Sequence, residues 1–194
     1  PQGRVHALWT LHGLGVATPA QVVKALGDAE SGVVENAIDL AAKHFAADAD
    51  IDRAIRGLVQ HPSARVAALA AAQGLVRDQD DAALTEAYAA RLRAAPDDLW
   101  LRRAILSASA TRTGAILAKL LADPGYTGGE PGGKAAAIAD LASAVAARGD
   151  AAELAQVLAQ VKGDPAWWQF ALITGLGDGL RRGTDPYALF PGLG

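Results

Sequence analysis

The chain has 194 residues, of which 46 are Ala and 24 Leu, with no Cys and no Met. Its 18 Lys plus Arg stand against 21 Asp plus Glu, a net charge of −3. Without Cys these residues hold no disulfide framework, zinc–thiolate site, iron–sulfur cluster or covalently attached haem, no apolar run approaches the ~18 residues of a membrane span, and the mild acidity does not describe a general nucleic-acid binder. The chain starts with Pro1, so it reads as a segment of a longer parent, and the missing leader says nothing about the parent's compartment.

Apolar residues recur at helical spacing almost throughout. They predict helices over 3–15, 18–27, 31–46, 48–60, 62–77, 80–94, 97–110, 112–123, 133–148, 150–161 and 165–182. The second opens on Thr18-Pro19-Ala20-Gln21, a capping residue, a proline at the first helical position and a Gln that completes a capping box. In the fourth, Ile51, Ile55, Leu58 and Val59 form one stripe. Near the end, Gly149 stops one helix and Asp150 with Glu153 starts the next, whose stripe is Leu154, Val157, Leu158 and Val161. Gly163 followed by Asp164-Pro165 repeats that punctuation. No stretch alternates apolar and polar residues with the β-branched or aromatic content of a strand.

A repeat lies over this pattern. The triplet x-Ala-(Leu/Ile) occurs at 6–8, 36–38, 67–69, 103–105, 136–138 and 170–172, with Ala-to-Ala steps of 30, 31, 36, 33 and 34. A small residue at a fixed place lets neighbouring helices approach, and the adjacent Leu or Ile fills the gap. The expected architecture is therefore all-α: an α-solenoid of HEAT-like helical hairpins, about five to six two-helix units. It would cover 1–183, with 184–194 as a non-helical tail or linker. A non-repetitive helical bundle is the competing architecture.

Four segments carry a more particular likeness: RVHALWTLHGLG at 4–15, VVENAIDLA at 33–41, LWLRRAILSA at 99–108 and GLGDGLRRG at 175–183. Together they resemble the HEAT-repeat region of the large bacterial membrane-bound dehydrogenase proteins common in planctomycetes and their relatives. The resemblance implies a parent with an upstream six-bladed propeller of sugar-dehydrogenase type and a downstream cytochrome c domain that binds haem through CxxCH. It also implies a periplasmic or secreted location. This chain has no CxxCH, so neither haem nor dehydrogenase chemistry transfers to its residues, and no cofactor is expected in this segment.

The candidate sites are few. Gly128 to Lys134 spells G-x-x-x-x-G-K, the spacing of a phosphate loop, but Ala135 stands where a Ser or Thr should hold Mg²⁺, and a helix, not a strand, precedes it. The stretch 123–134 is read as a Gly/Pro-rich connection. His6 and His12 are six apart and miss the i, i+4 spacing of a helical metal pair; His44 and His61 stand alone. Asp48, Asp50 and Asp52 lack the sixth-position Gly and twelfth-position Glu of a calcium loop. No G-x-S-x-G and no nucleophilic Cys is present, so no metal ligand and no catalytic residue is assigned.

What remains is surface for a partner. Trp100, Trp167 and Trp168 are bulky enough to anchor an interface, and the better candidate is Trp167 or Trp168, which as helix neighbours point about 100° apart and do not both face one core. Arg91, Arg93, Arg102, Arg103 and Arg112 face only Asp97 and Asp98 in their stretch, and Arg181 with Arg182 forms a second basic pair. The expected partner-binding surface is Trp100, Arg102, Arg103, Trp167, Trp168, Arg181 and Arg182. The expected function is a non-catalytic scaffold contacting neighbouring domains of the parent or another protein, with no nucleic acid, membrane insertion or small-molecule substrate. A DNA glycosylase built on HEAT-like repeats is the alternative, resting on the arginines and aromatics.

Overall fold

A computed structural model describes residues 1–45, 47–73, 82–109 and 111–183. The expected tail at 184–194 lies outside the described residues, as do 74–77 and 80–81 of the fifth and sixth expected helices.

Among the described residues all regular structure is helical. The elements are α1 (Gln2–Gly13), α2 (Pro19–Leu26), α3 (Ser31–His44), α4 (Ala49–Leu58), α5 (Ala64–Ala72), α6 (Ala82–Ala94), α7 (Leu99–Ala108), α8 (Thr113–Leu121), α9 (Pro124–Thr127), α10 (Gly132–Arg148), α11 (Ala151–Leu158) and α12 (Trp167–Gly183). None of these helices is long and apolar enough to cross a membrane. Each expected helix is present. The addition is α9, a single turn inside the Gly/Pro-rich connection, where Asp123 accepts from the Gly125 amide at 2.9 Å and Pro124 presets the first helical φ.

Local chemistry sets the boundaries. The Thr18 amide donates to the Gln21 side chain at 2.9 Å and the Gln21 amide to the Thr18 hydroxyl at 3.4 Å, a complete capping box. Asp48, Asp98 and Asp150 each accept from first-turn amides, at 2.9–3.0 Å. The Asp48 triplet is thus a cap followed by two within-helix pairs, Asp50 with Arg53 and Asp52 with Arg56. Gly149 ends α10 at φ 71°, a left-handed conformation that costs glycine little. The start of α12 departs from expectation. Instead of Asp164, the side chain of Gln169 closes the first turn, accepting from the Ala166 amide at 2.9 Å and donating to the Lys162 carbonyl at 2.8 Å.

The helices group into two compact units. Of the described residues, the first holds 1–45, 47–73 and 103–108, the second 82–102, 109 and 111–183, so the first turn of α7 belongs to the second and its remainder to the first. Within the first unit, α1 packs on α3 and α3 on α5, α2 packs on α4, and the consecutive pairs α2–α3 and α4–α5 close as hairpins. Its interior is Val22, Leu26, Val34, Ile38, Leu40, Ile51, Ile55 and Val66, all buried. Within the second unit, α8 packs on α6, α10 and α11, and α10 packs on α12. There Tyr88, Leu92, Ile116, Leu117, Leu120, Ile138, Leu141 and Leu172 are buried.

The Leu or Ile of the triplet is buried in five of its six copies, but the Ala in only two: Ala7 is exposed, and Ala104 and Ala171 are half-buried. Ala37-Ile38 and Ala137-Ile138 are fully buried, as are Ile105 and Leu172. In α5, however, Ala68 and Leu69 are half-buried, and Val66, Ala67, Ala70 and Ala71 form the interior. The triplet at 67–69 is therefore out of phase, a chance match in an Ala-rich segment.

The tightest helix pairing is α10 on α12. A Cβ added at Gly175 would overlap the backbone of Ala139, and one added at Gly179 would overlap the Ser143 carbonyl and the Ala146 methyl. Gly177, between them in sequence, meets nothing within 4 Å. This pairing predicts opposite effects for one chemical change. Gly175→Ala should lower stability by about 1–3 kcal/mol through overpacking, whereas Gly177→Ala should raise it by roughly 0.5–1 kcal/mol through helix propensity; urea-unfolding midpoints measured on both variants check this.

Candidate functional site

Of the five arginines between 91 and 112, Arg102 and Arg112 are buried, Arg91 and Arg93 half-buried and Arg103 exposed. Arg102 is 9% exposed; its Nε donates to Asp140 at 2.8 Å and its Nη1 to the Pro96 carbonyl at 3.3 Å. It is therefore not a surface contact residue, and its place in the expected partner surface is withdrawn. Arg112 is 5% exposed, with Nε and Nη1 enclosed. The Arg93 guanidinium is 2.9 Å from Glu86 and 3.0 Å from Asp123, and donates to the Lys119 carbonyl at 3.1 Å. Hydrogen bonds from Lys119 and Arg93 hold the Glu86 carboxyl below the usual range. Among the five, Arg103 is exposed. Counting charges along the sequence missed this, because a long side chain can bury its stem and reach an acid far away in sequence.

The second basic pair lies on the surface. Arg182 is exposed, and Arg181 is exposed and paired with Asp178 at 2.6 Å.

The tryptophans separate into three environments. Trp9 is half-buried, and its indole N–H donates to Asn36 at 2.9 Å. Trp167 and Trp168 are also half-buried, and the Trp167 Nε1 is enclosed without a hydrogen-bond partner among the described residues. Trp100 differs: it is 74% exposed, beside Leu99 at 40%. Two large apolar side chains at the start of α7 thus lie in water, where Asp98 fixes the helix by accepting from the Leu101 amide. Leu99 was not legible as a site residue, since its spacing suits an ordinary core position.

The Gly/Pro-rich connection is filled by its own groups. Asp97, from the turn before α7, accepts from the Gly133 amide at 2.8 Å, taking an amide that a phosphate loop would offer its ligand. Gly133 is required there, because a Cβ would overlap the Pro96 carbonyl. Lys134 donates to the Gly128 carbonyl at 3.3 Å and lies 5.7 Å from the centre of the Tyr126 ring. Tyr126 is 3% exposed and its hydroxyl has no hydrogen-bond partner among the described residues.

One pairing was invisible in the sequence. His12 and His44 stack with ring centres 3.9 Å apart and planes tilted by 39°, and the edge of Trp9 packs on His12 at 5.9 Å. Imidazole lone pairs lie in the ring plane, so rings stacked this way do not converge on one ion. Among the described residues no group of three or more His, Cys, Asp or Glu is placed to hold a metal.

No protein-family model, curated protein or solved structure matches the chain.

Burial pushes the Tyr126 phenol up to about 12 from 10.0, against the opposing charges of Arg102 and Arg93. The unfolded chain therefore ionises first as pH rises, so this contribution to stability is complete below pH 10 and disappears between 10 and about 12. Tyr126→Phe should flatten that alkaline loss without weakening the fold at pH 7, as urea midpoints across pH for both proteins will test.

Proposed function

We propose that the chain is a non-catalytic helical-repeat scaffold that contacts other protein surfaces. The observation that carries this reading is Trp100, a large aromatic 74% exposed with Leu99 beside it. Tryptophan buries much area at little entropic cost, so an indole presented to water on a fixed helix start suits an interface anchor. The absence of any catalytic motif from the sequence supports the same reading.

The likeness at 4–15, 33–41, 99–108 and 175–183 extends the proposal. In a parent of the resembled family the scaffold would lie between a sugar-dehydrogenase-type propeller and a cytochrome c domain, holding them in a fixed relation. Its partners are then those neighbouring domains, and redox chemistry belongs to them.

The test has two parts. Neighbouring segments of the parent, expressed separately, should bind the chain in titration calorimetry, and Trp100→Ala should weaken that binding at least tenfold while leaving the helical circular-dichroism signal intact. Specific turnover of a small substrate by the chain alone, or undiminished binding by Trp100→Ala, would overturn the proposal.

A further inference from the structure

The first helix is held lightly. Of the 12 residues in α1, Leu8 alone is buried. Polar and ring contacts add to that seat: the Trp9 indole N–H donates to Asn36 on α3, Arg4 pairs with Asp28 at 2.8 Å, and the His12 ring lies on the His44 ring of α3 with centres 3.9 Å apart. A helix with so little apolar burial depends on such contacts.

The ring contact is the one that mild acid changes. Histidine is the side chain that gains its charge between about pH 8 and 5. Each ring lies in the last turn of its own helix, where the helix dipole favours a cation. Two unit charges this close repel enough to shift an equilibrium roughly sixfold, even at the dielectric constant of water. The dipole attraction stays with each helix when the two part, so parting relieves the repulsion alone.

The surroundings supply no offsetting anion. Among the described residues neither imidazole has a hydrogen bond or an acidic partner. On α3, Asp39 is bound to Lys43 at 2.8 Å, and Glu35 to Arg65 of α5 at 2.9 Å. Lys43 lies 5.9 Å from the centre of the Trp9 ring and adds a cation to the cluster. Helix α2, which also packs on α1, carries Lys24 and no acid. On α1 itself His6 is exposed. The edge of Trp9 meets His12, and an aromatic edge is the positive end of the ring quadrupole.

We propose that the His12–His44 stack is an acid-sensitive clasp: uncharged rings hold the end of α1 on α3 at neutral pH, and paired imidazolium charges release it in mild acid. Release uncovers the side of α3 around Asn36, whose amide Trp9 otherwise engages. The Arg4–Asp28 pair does not respond in the same range. The hydrogen bond from the Glu30 amide, with that from Arg4, holds the Asp28 carboxyl below its usual range, so this pair contributes in full above 3.8 and is lost only below it.

Hydrogen–deuterium exchange of the full chain at pH 7.5 and 5.0, in low salt and corrected for the intrinsic pH dependence of exchange, tests the clasp, with α10 as internal reference. Protection over Gln2–Gly13 should fall at least threefold at pH 5.0 while that of α10 holds. In 1 M NaCl, which screens close exposed charges, the fall should shrink. His12→Phe and His44→Phe each keep a ring in the stack without its charge, and either should remove the pH dependence of α1. His12→Gln, uncharged and without an aromatic ring, should remove it too, whatever its protection at pH 7.5. Equal protection of α1 at the two pH values, a fall that persists in these variants, or a fall that α10 shares overturns the proposal.

Discussion

Close approach between helices, made through side chains that are small or missing, is the constraint on which the fold depends. Only 5% of the chain is aromatic, so few bulky groups are available to fill space between helices standing far apart. The interior closes because Ala37, Ala41, Ala67, Ala70, Ala71, Ala137, Ala142 and Ala146 are buried, and because Gly175 and Gly179 bring one backbone onto another. Packing of this kind has little slack. Where a larger side chain fills an irregular gap by changing rotamer, an alanine methyl cannot, and a glycine that already touches a carbonyl leaves no room at all.

The charged residues serve the same end. Asp98 and Asp150 cap helices, Asp97 holds the start of α10 from 36 residues away, and Arg102 ties α7 to Asp140 on α10. Arg93 and Lys119 gather around Glu86. Charges spent on joining elements in this way are not available to recruit a polyanion, which is why a stretch with five arginines and two acids over 91–112 does not make a basic surface. What the described surface offers instead is apolar: Leu99 and Trp100 on α7, and Phe170 and Ile173 on α12.

Much of the local structure was legible because it is decided locally. Thr18 and Asp150 cap helices through bonds reaching three residues, and Gly149 stops one by a conformation that glycine adopts readily. The Pro124 turn inside the Gly/Pro-rich connection was missed because a four-residue helix has no period to detect. The slipped triplet in α5 shows the limit of composition: where nearly every residue is Ala, a pattern built on Ala matches by accident. The burial of Arg102 and the stacking of His12 on His44 were not legible at all, since each joins residues more than thirty apart. The adjacency of Trp167 and Trp168 pointed to that pair, whereas Trp100 is the exposed one; exposure follows from which helix faces find a neighbour, and that is settled only by the assembled fold.

The two glycines that seat α12 on α10 also bear on the order of assembly. Glycine is among the poorest residues for an isolated helix, and α12 carries four, at 175, 177, 179 and 183. Synthesis runs from the first residue onward, so α10 leaves the ribosome before α12 does. Four glycines make α12 a weak helix on its own, and its seat on α10 supplies what its composition withholds.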